Sequence, residues 1–242
     1  VKIGLSNDEV SSLSEKKDVI KLSRNDLAYA ISCRKTGATT VAATMILAAS
    51  ANIKVFATGG VGGVHLDAEK TFDVSADLQE LAQTPVTVIS AGPKAILDLP
   101  KTLQVLETLG VPVVTFGQDE LPAFWSRSSG LRSPIRMNSA EEIARSQLIR
   151  EALSIPGGQL VANPIPAYAE IPFQEILPII KKAHLEANKE NISDKNLTPF
   201  LLEKVFNLTD GASLNANIEL VKNNASLACK VASSLITEKS RL

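Results

Sequence analysis

Short apolar runs, each followed by a helix-like stretch, limit this chain's fold more than any other feature. Ile53 to Ala57, Val86 to Ser90, Val111 to Phe116 and Gln159 to Ala162 are four to six residues long and nearly free of charge. Runs of that length without alternation fit strands buried on both faces, which is the habit of parallel sheets. A shorter run, Val19 to Leu22, carries Lys21. Helical patterns fill the intervals: Asn7 to Leu13, Leu27 to Ser32, Thr39 to Ala51, Asp77 to Gln83, Thr102 to Leu109, Ser139 to Leu153, Phe173 to Asn188, Thr198 to Asn207 and Ser213 to Thr237. Strands alternating with helices predict an α/β fold with a largely parallel sheet.

Local signals place several ends. Asn7 is the expected cap of the first helix. Ser139-Ala140-Glu141-Glu142 reads as a capping box, Pro199 as the first residue of a helix, and Gly110 as a helix stop. Arg34 to Gly37 breaks a helix, and Asn191 to Asn196 is a polar loop. Gln118 to Met137 is less regular, holds the only tryptophan, Trp125, and reads as a lid or an oligomer contact.

Composition removes several functions. Lys plus Arg number 25 against 26 Asp plus Glu, so no electrostatic argument favours nucleic acid or an anionic membrane. No run reaches the roughly 20 apolar residues of a membrane span. The two cysteines, Cys33 and Cys229, give no disulfide framework and are expected to be buried core thiols. Neither a P-loop nor a GxGxxG fingerprint is present; the glycine text is Gly59-Gly60-Val61-Gly62-Gly63.

The stretch from Phe56 to Lys94 concentrates the chemistry. It holds those glycines, His65, Asp73, the Ser75-Ala76-Asp77 turn, and Lys94 just behind Ala91-Gly92-Pro93. Ligands of parallel α/β sheets gather beyond the carboxyl ends of strands, where both the glycines and Lys94 fall. A glycine floor, acids and one lysine fit a phosphorylated or carbonyl-bearing small molecule. With no second His or Cys at ligand spacing, His65 reads as a structural hydrogen-bonder.

The text resembles the pseudouridine-5'-phosphate glycosidase family, also called indigoidine synthase A-like. Matching segments are LSRNDL (Leu22 to Leu27), KTGATTVAATMILAA (Lys35 to Ala49), FATGGVGGVH (Phe56 to His65) and TFDVSADLQELAQTPVTVISAGPKAILD (Thr71 to Asp98). GVPV (Gly110 to Val113), LPAF (Leu121 to Phe124), VANPIP (Val161 to Pro166), TPFLL (Thr198 to Leu202) and SLNANIELVKNNA (Ser213 to Ala225) follow in order.

The resemblance implies one domain over the whole chain, a three-layer α/β/α fold and a homotrimer. It implies reversible cleavage of the C–C glycosidic bond of pseudouridine 5'-phosphate to uracil and ribose 5-phosphate. The family's Schiff-base lysine falls on Lys94 and its metal-binding aspartate, for manganese or another divalent cation, on Asp73. Its substrate contacts fall on Lys21, Val41, Ser75, Ala76, Asp77 and Asn217. A cytoplasmic setting is expected, with mitochondrial or peroxisomal ones left open. Family members start roughly a quarter of a chain earlier, in a segment bearing the glutamate that protonates the base. No residue here matches that glutamate, so an upstream segment is expected. Two other readings stay open: a different Schiff-base lyase of sugar phosphates, and a non-catalytic assembly or regulatory subunit.

A C-glycoside lacks the oxygen leaving group that paired carboxylates protonate. An amine condensing with the opened sugar offers another route, provided desolvation or positive charge brings the lysine below its ordinary pKa of about 10.4.

Overall fold

The structure, a computed structural model, describes residues 1–193 and 196–240. Part of the loop expected over 191–196, and the final Arg241-Leu242, lie outside the described residues.

Five strands form one parallel sheet: β3 (Val55–Ala57), β4 (Thr87–Ser90), β5 (Val113–Phe116), β6 (Ile135–Met137) and β7 (Gln159–Ala162), in the order β3-β4-β7-β5-β6. All four residues of β4 and all four of β7 are fully buried, which explains why these segments read as uncharged runs without polar/apolar alternation. Successive residues serve opposite layers. Val88, Val113, Leu160 and Ala162 meet Met45, Leu78, Leu81 and Leu106 on one face. Ile89, Val114 and Val161 meet Ile143, Leu227 and Val231 on the other. Helices therefore cover both faces: α3 (Val41–Ser50), α5 (Ala76–Gln83) and α6 (Leu99–Thr108) on the first, α7 (Ala140–Ala152) and α10 (Ala212–Lys239) on the second. This is the three-layer α/β/α architecture expected. Each fully buried Val, Leu or Ile adds about 1.5–3 kcal/mol over an exposed one.

A third apolar cluster sits against the carboxyl end of the sheet. There α8 (Phe173–Lys189) and α9 (Leu197–Leu208) enclose Ile96, Phe124, Trp125 and Leu220. Trp125 is therefore core, and the stretch 121–126 is packed inside the protein rather than standing over it as a lid.

The remaining α-helices and strands described are α1 (Asn7–Glu15), α2 (Leu27–Ser32), the single turn α4 (Ala68–Thr71), and a small parallel pair, β1 (Ile20–Leu22) with β2 (Gly37–Thr39). Several ends differ from expectation. Ser6, not Asn7, caps α1 in a capping box with Glu9, and Asn196 precedes α9, so Pro199 sits inside its first turn. The Ser139–Glu142 capping box forms as read. Cys33 and Cys229 are exposed rather than core: Cys33 follows the exposed end of α2, and Cys229 lies on the outer side of α10. No described helix is both long and apolar enough to cross a membrane.

Gly157-Gly158 leads into β7 where no side chain fits. Gly158 donates to the Leu81 carbonyl (2.9 Å), and a Cβ there would stand 2.0 Å from the Val86 carbonyl oxygen. Gly158→Ala must therefore push β7 off the start of β4. We expect a loss of about 3 kcal/mol, read as a lowered urea midpoint with unchanged m-value. A midpoint equal to the parent's would show that this junction yields.

Candidate active site

The carboxyl ends of β3 and β4 open onto two interleaved loops. The glycine loop after β3 and Ala91–Lys94 after β4 exchange hydrogen bonds: Ala91 N–H to Gly59 O (2.8 Å), Val61 N–H to Gly92 O (3.2 Å) and Lys94 N–H to Val61 O (3.1 Å). The segment after His65 folds back along the same loop. Ser75 N–H donates to Gly63 O (2.9 Å), and His65 N–H to Asp73 O (3.0 Å). The glycine loop is thus the middle strip of a three-strip floor, with Lys94 on one side and Asp73 to Asp77 on the other. Gly62 has no room for a side chain, since its Cβ would stand 2.2 Å from Ser75 Oγ.

Asp77 pins this floor to two helix starts. It is buried, and Ser75 Oγ caps its helix by accepting from the Asp77 N–H (3.3 Å). Its Oδ1 accepts from the Ala42 N–H (2.8 Å) in the first turn of α3, and its Oδ2 from the Gly62 N–H (2.8 Å). The N-termini of α3 and α5 therefore meet at one carboxylate. The first N–H of each helix, on Val41 and Ala76, donates to no described protein group. Two helix starts with open N–H groups offer donors of the kind that anions accept from.

Lys21 stands at the same corner. β1 ends where Thr40 N–H donates to Leu22 O (2.8 Å), just ahead of α3. Arg24, three residues on, pairs with buried Glu80 of α5 and fixes this strand to the floor. Lys21 itself is exposed.

Burial pushes the Lys94 amine below its ordinary range. The Asp77 carboxylate opposes that shift and the Lys21 charge adds to it. His65 is buried and likewise lowered, first by desolvation and then by His184, Lys94 and Lys21, against the pull of Asp73. Its Nδ1 lies 4.0 Å from Asp73 Oδ2 and has no hydrogen-bond partner, while Nε2 reaches Thr198 Oγ1 at 3.4 Å. His65 is thus satisfied on one nitrogen only, less completely than a structural hydrogen-bonder would be. Asp73 keeps about 30% of its side chain exposed and accepts no side-chain hydrogen bond from the described residues. No group of three His, Cys, Asp or Glu side chains converges as metal ligands among the described residues. A lone, water-accessible carboxylate fits a hard cation held by one protein oxygen and several waters.

Asn217 approaches from the far side. Its helix, α10, rides over the glycine loop, where Leu220 and Val221 each come within 3.6 Å of a Cβ built on Gly59. Two turns on, buried Asn224 donates from Nδ2 to Thr58 O (2.8 Å) and accepts from Asn163 Nδ2 (3.1 Å), tying the ends of β3 and β7 to this helix. The Trp125 indole N–H donates to Asn217 Oδ1 (2.8 Å).

Lys21, Val41, Ser75, Ala76, Asp77, Asp73 and Lys94 thus gather around one glycine loop, and Asn217 borders that loop across Phe124 and Trp125. Sequence reasoning missed His184, whose Nε2 sits 2.9 Å from Ile96 O beside the lysine loop. Its surroundings in α8, lysines and a glutamate, read as a solvated face, so no local signal existed.

The family profile described as "Indigoidine synthase A like protein" matches residues 1–234. Among curated relatives, the pseudouridine-5'-phosphate glycosidase of Paracoccus denitrificans is 58% identical over 239 residues, covering 98% of this chain and 79% of that one. That of Jannaschia sp. is 61% identical over 235 residues, covering 97% and 78%. Among solved structures, the prealnumycin C-glycosynthase AlnA in complex with ribulose 5-phosphate superposes with a TM-score of 0.92 at 31% identity, over 99% of this chain and 79% of that one. An indigoidine synthase A-like protein from Thermotoga maritima gives 0.88 at 35% identity, over 96% and 76%.

Proposed function

The chain belongs to the indigoidine synthase A-like family, and from that premise we propose that it reversibly cleaves pseudouridine 5'-phosphate to uracil and ribose 5-phosphate through an imine on Lys94. The observation that carries this reading is the Lys94 amine, half-buried at the end of β4 and held toward its neutral form by burial and Lys21. Relatives above half identity bear the glycosidase name, which supports the same substrate here.

In the synthetic direction the neutral amine condenses with the aldehyde carbon of open ribose 5-phosphate. Water leaves and a C1'=N iminium remains. Uracil C5 attacks that carbon, the C=N electron pair returns to nitrogen, and C5 loses its proton. The sugar's O4' then displaces the lysine nitrogen and closes the ring. Cleavage runs these steps backward, and water finally frees Lys94. The open N–H groups of Val41 and Ala76, with Ser75 and the Lys21 ammonium, hold the 5'-phosphate. Asp77 keeps the floor in register under Lys94. Asp73 would hold Mn2+ or another divalent cation, which when bound supplies positive charge for substrate oxygens. Assembly as a homotrimer and a cytoplasmic setting belong to the same reading; light scattering at three times the chain mass checks the first.

Borohydride added with ribose 5-phosphate tests the imine. The expected product is one reduced sugar-phosphate adduct on Lys94, found by peptide mass spectrometry. No adduct there would sink the proposal. An adduct without uracil-dependent turnover would point instead to another sugar-phosphate lyase.

The pH dependence carries a sign. Imine formation needs the free amine, so its rate falls as pH drops through the Lys94 pKa. Lys21→Met removes a repulsive charge and lets that pKa rise. The acid limb, measured at saturating ribose 5-phosphate, should move to higher pH. A limb that stays put or moves down contradicts the coupling.

A further inference from the structure

Trp125 holds Asn217, which the resemblance makes a substrate contact, and neither the resemblance nor the reaction scheme gives the tryptophan a part. Trp125 is 1% exposed, and its ring meets Phe124 edge-on with centroids 4.9 Å apart. Phe124 is itself wedged against the glycine loop, since a Cβ on Gly60 would stand 2.6 Å from its ring. The indole cannot swing. Its nitrogen only donates, so the atom of Asn217 it meets at 2.8 Å must be the carbonyl oxygen. That contact fixes the amide's orientation. The other arm, Nδ2, donates to no described protein group, and the side chain is only half-buried beside the carboxyl end of β3.

We propose that Trp125 is a positioning residue that makes Asn217 a donor only, so that the site selects an oxygen of the sugar phosphate able to accept there, a carbonyl, hydroxyl or ring oxygen. Without the indole N–H the amide is free to turn over and offer either arm, and discrimination is lost. The inference rests on the proposed site, but it fails separately. Failure of the reaction reading shows as a missing Lys94 adduct in the parent chain.

The test is a double-mutant cycle on the full chain, reading ribose 5-phosphate affinity by calorimetry and kcat and KM by uracil release. Asn217→Ala is expected to weaken binding about 10-fold or more. Trp125→Phe keeps the buried ring and loses only the N–H; it should cost about 5-fold alone and nothing further on top of Asn217→Ala. Additive losses overturn the proposal, because an indole that merely fills the core would weaken both backgrounds alike. Should Trp125→Phe fold poorly, Asn217→Asp carries the test. It keeps the acceptor for the indole and removes the donor, so affinity should fall about 10-fold while the single indole N–H resonance stays protected from exchange. Unchanged affinity in that variant overturns the proposal.

Discussion

Lys94→Arg is expected to lower turnover by about 10⁴-fold or more and to abolish the borohydride-trapped adduct. Arginine preserves the positive charge and much of the stem, but its guanidinium stays protonated at any accessible pH and cannot condense with an aldehyde. A lysine serving only as a cation for the phosphate would tolerate the change with a loss of affinity alone. Full imine chemistry in Lys94→Arg would remove Lys94 from the mechanism. Lys94→Met separates chemistry from stability. The native state holds this amine below its unfolded pKa, so the unfolded chain binds more protons between the two values and the charged native lysine is a net penalty below them. That penalty is full below the folded pKa and vanishes as pH rises past the unfolded value of about 10.4. Lys94→Met should therefore melt higher than the parent at pH 7, with the gap closing toward pH 11, while remaining inactive.

Asp77→Ala should be the most damaging change to the scaffold. Two backbone donors, on Ala42 and Gly62, lose their common acceptor inside the protein. An orphaned buried donor costs about 1–3 kcal/mol, so a combined loss of about 3–5 kcal/mol is expected. The Lys94 amine also loses the carboxylate that raises its pKa, and it should titrate lower still. Asp77→Asn is the informative companion. One oxygen still serves one donor, but an NH2 group now faces the other, so the loss should be about half as large. Chemical denaturation gives both numbers, and amide exchange at Ala42 and Gly62 locates them. A loss under about 1 kcal/mol for Asp77→Ala would mean that water replaces the carboxylate.

The pattern of successes and misses has a physical cause. β4 and β7 were readable because both their faces are buried, which keeps charge out and centres each on an apolar pair, Val88-Ile89 and Leu160-Val161. β2 and β6 were not: each has three residues, and Gly37-Ala38-Thr39 and Ile135-Arg136-Met137 carry no periodic signal. That Lys94, Asp73 and Ser75 to Asp77 would gather at one loop was legible because they lie within one short stretch of text past two strand ends. What Asp77 binds was not legible, since Ala42 lies 35 positions away. Trp125 drew the wrong reading because its hydrogen-bond partner is 92 positions off and its neighbours are turn residues. The cysteines went wrong for a simpler reason: a general preference for burial says nothing about which side of α10 faces out.

The contact between Asn224 and the Thr58 carbonyl spans 166 positions. A chain emerging from the ribosome would have made β3, β4 and the glycine loop long before α10 existed to cover them. Loop-closure entropy defers such a contact to the end of folding. The glycine loop would therefore be roofed only after α10 docks, so an unfinished nascent chain would hold the residues of the proposed site without the helix that covers their floor.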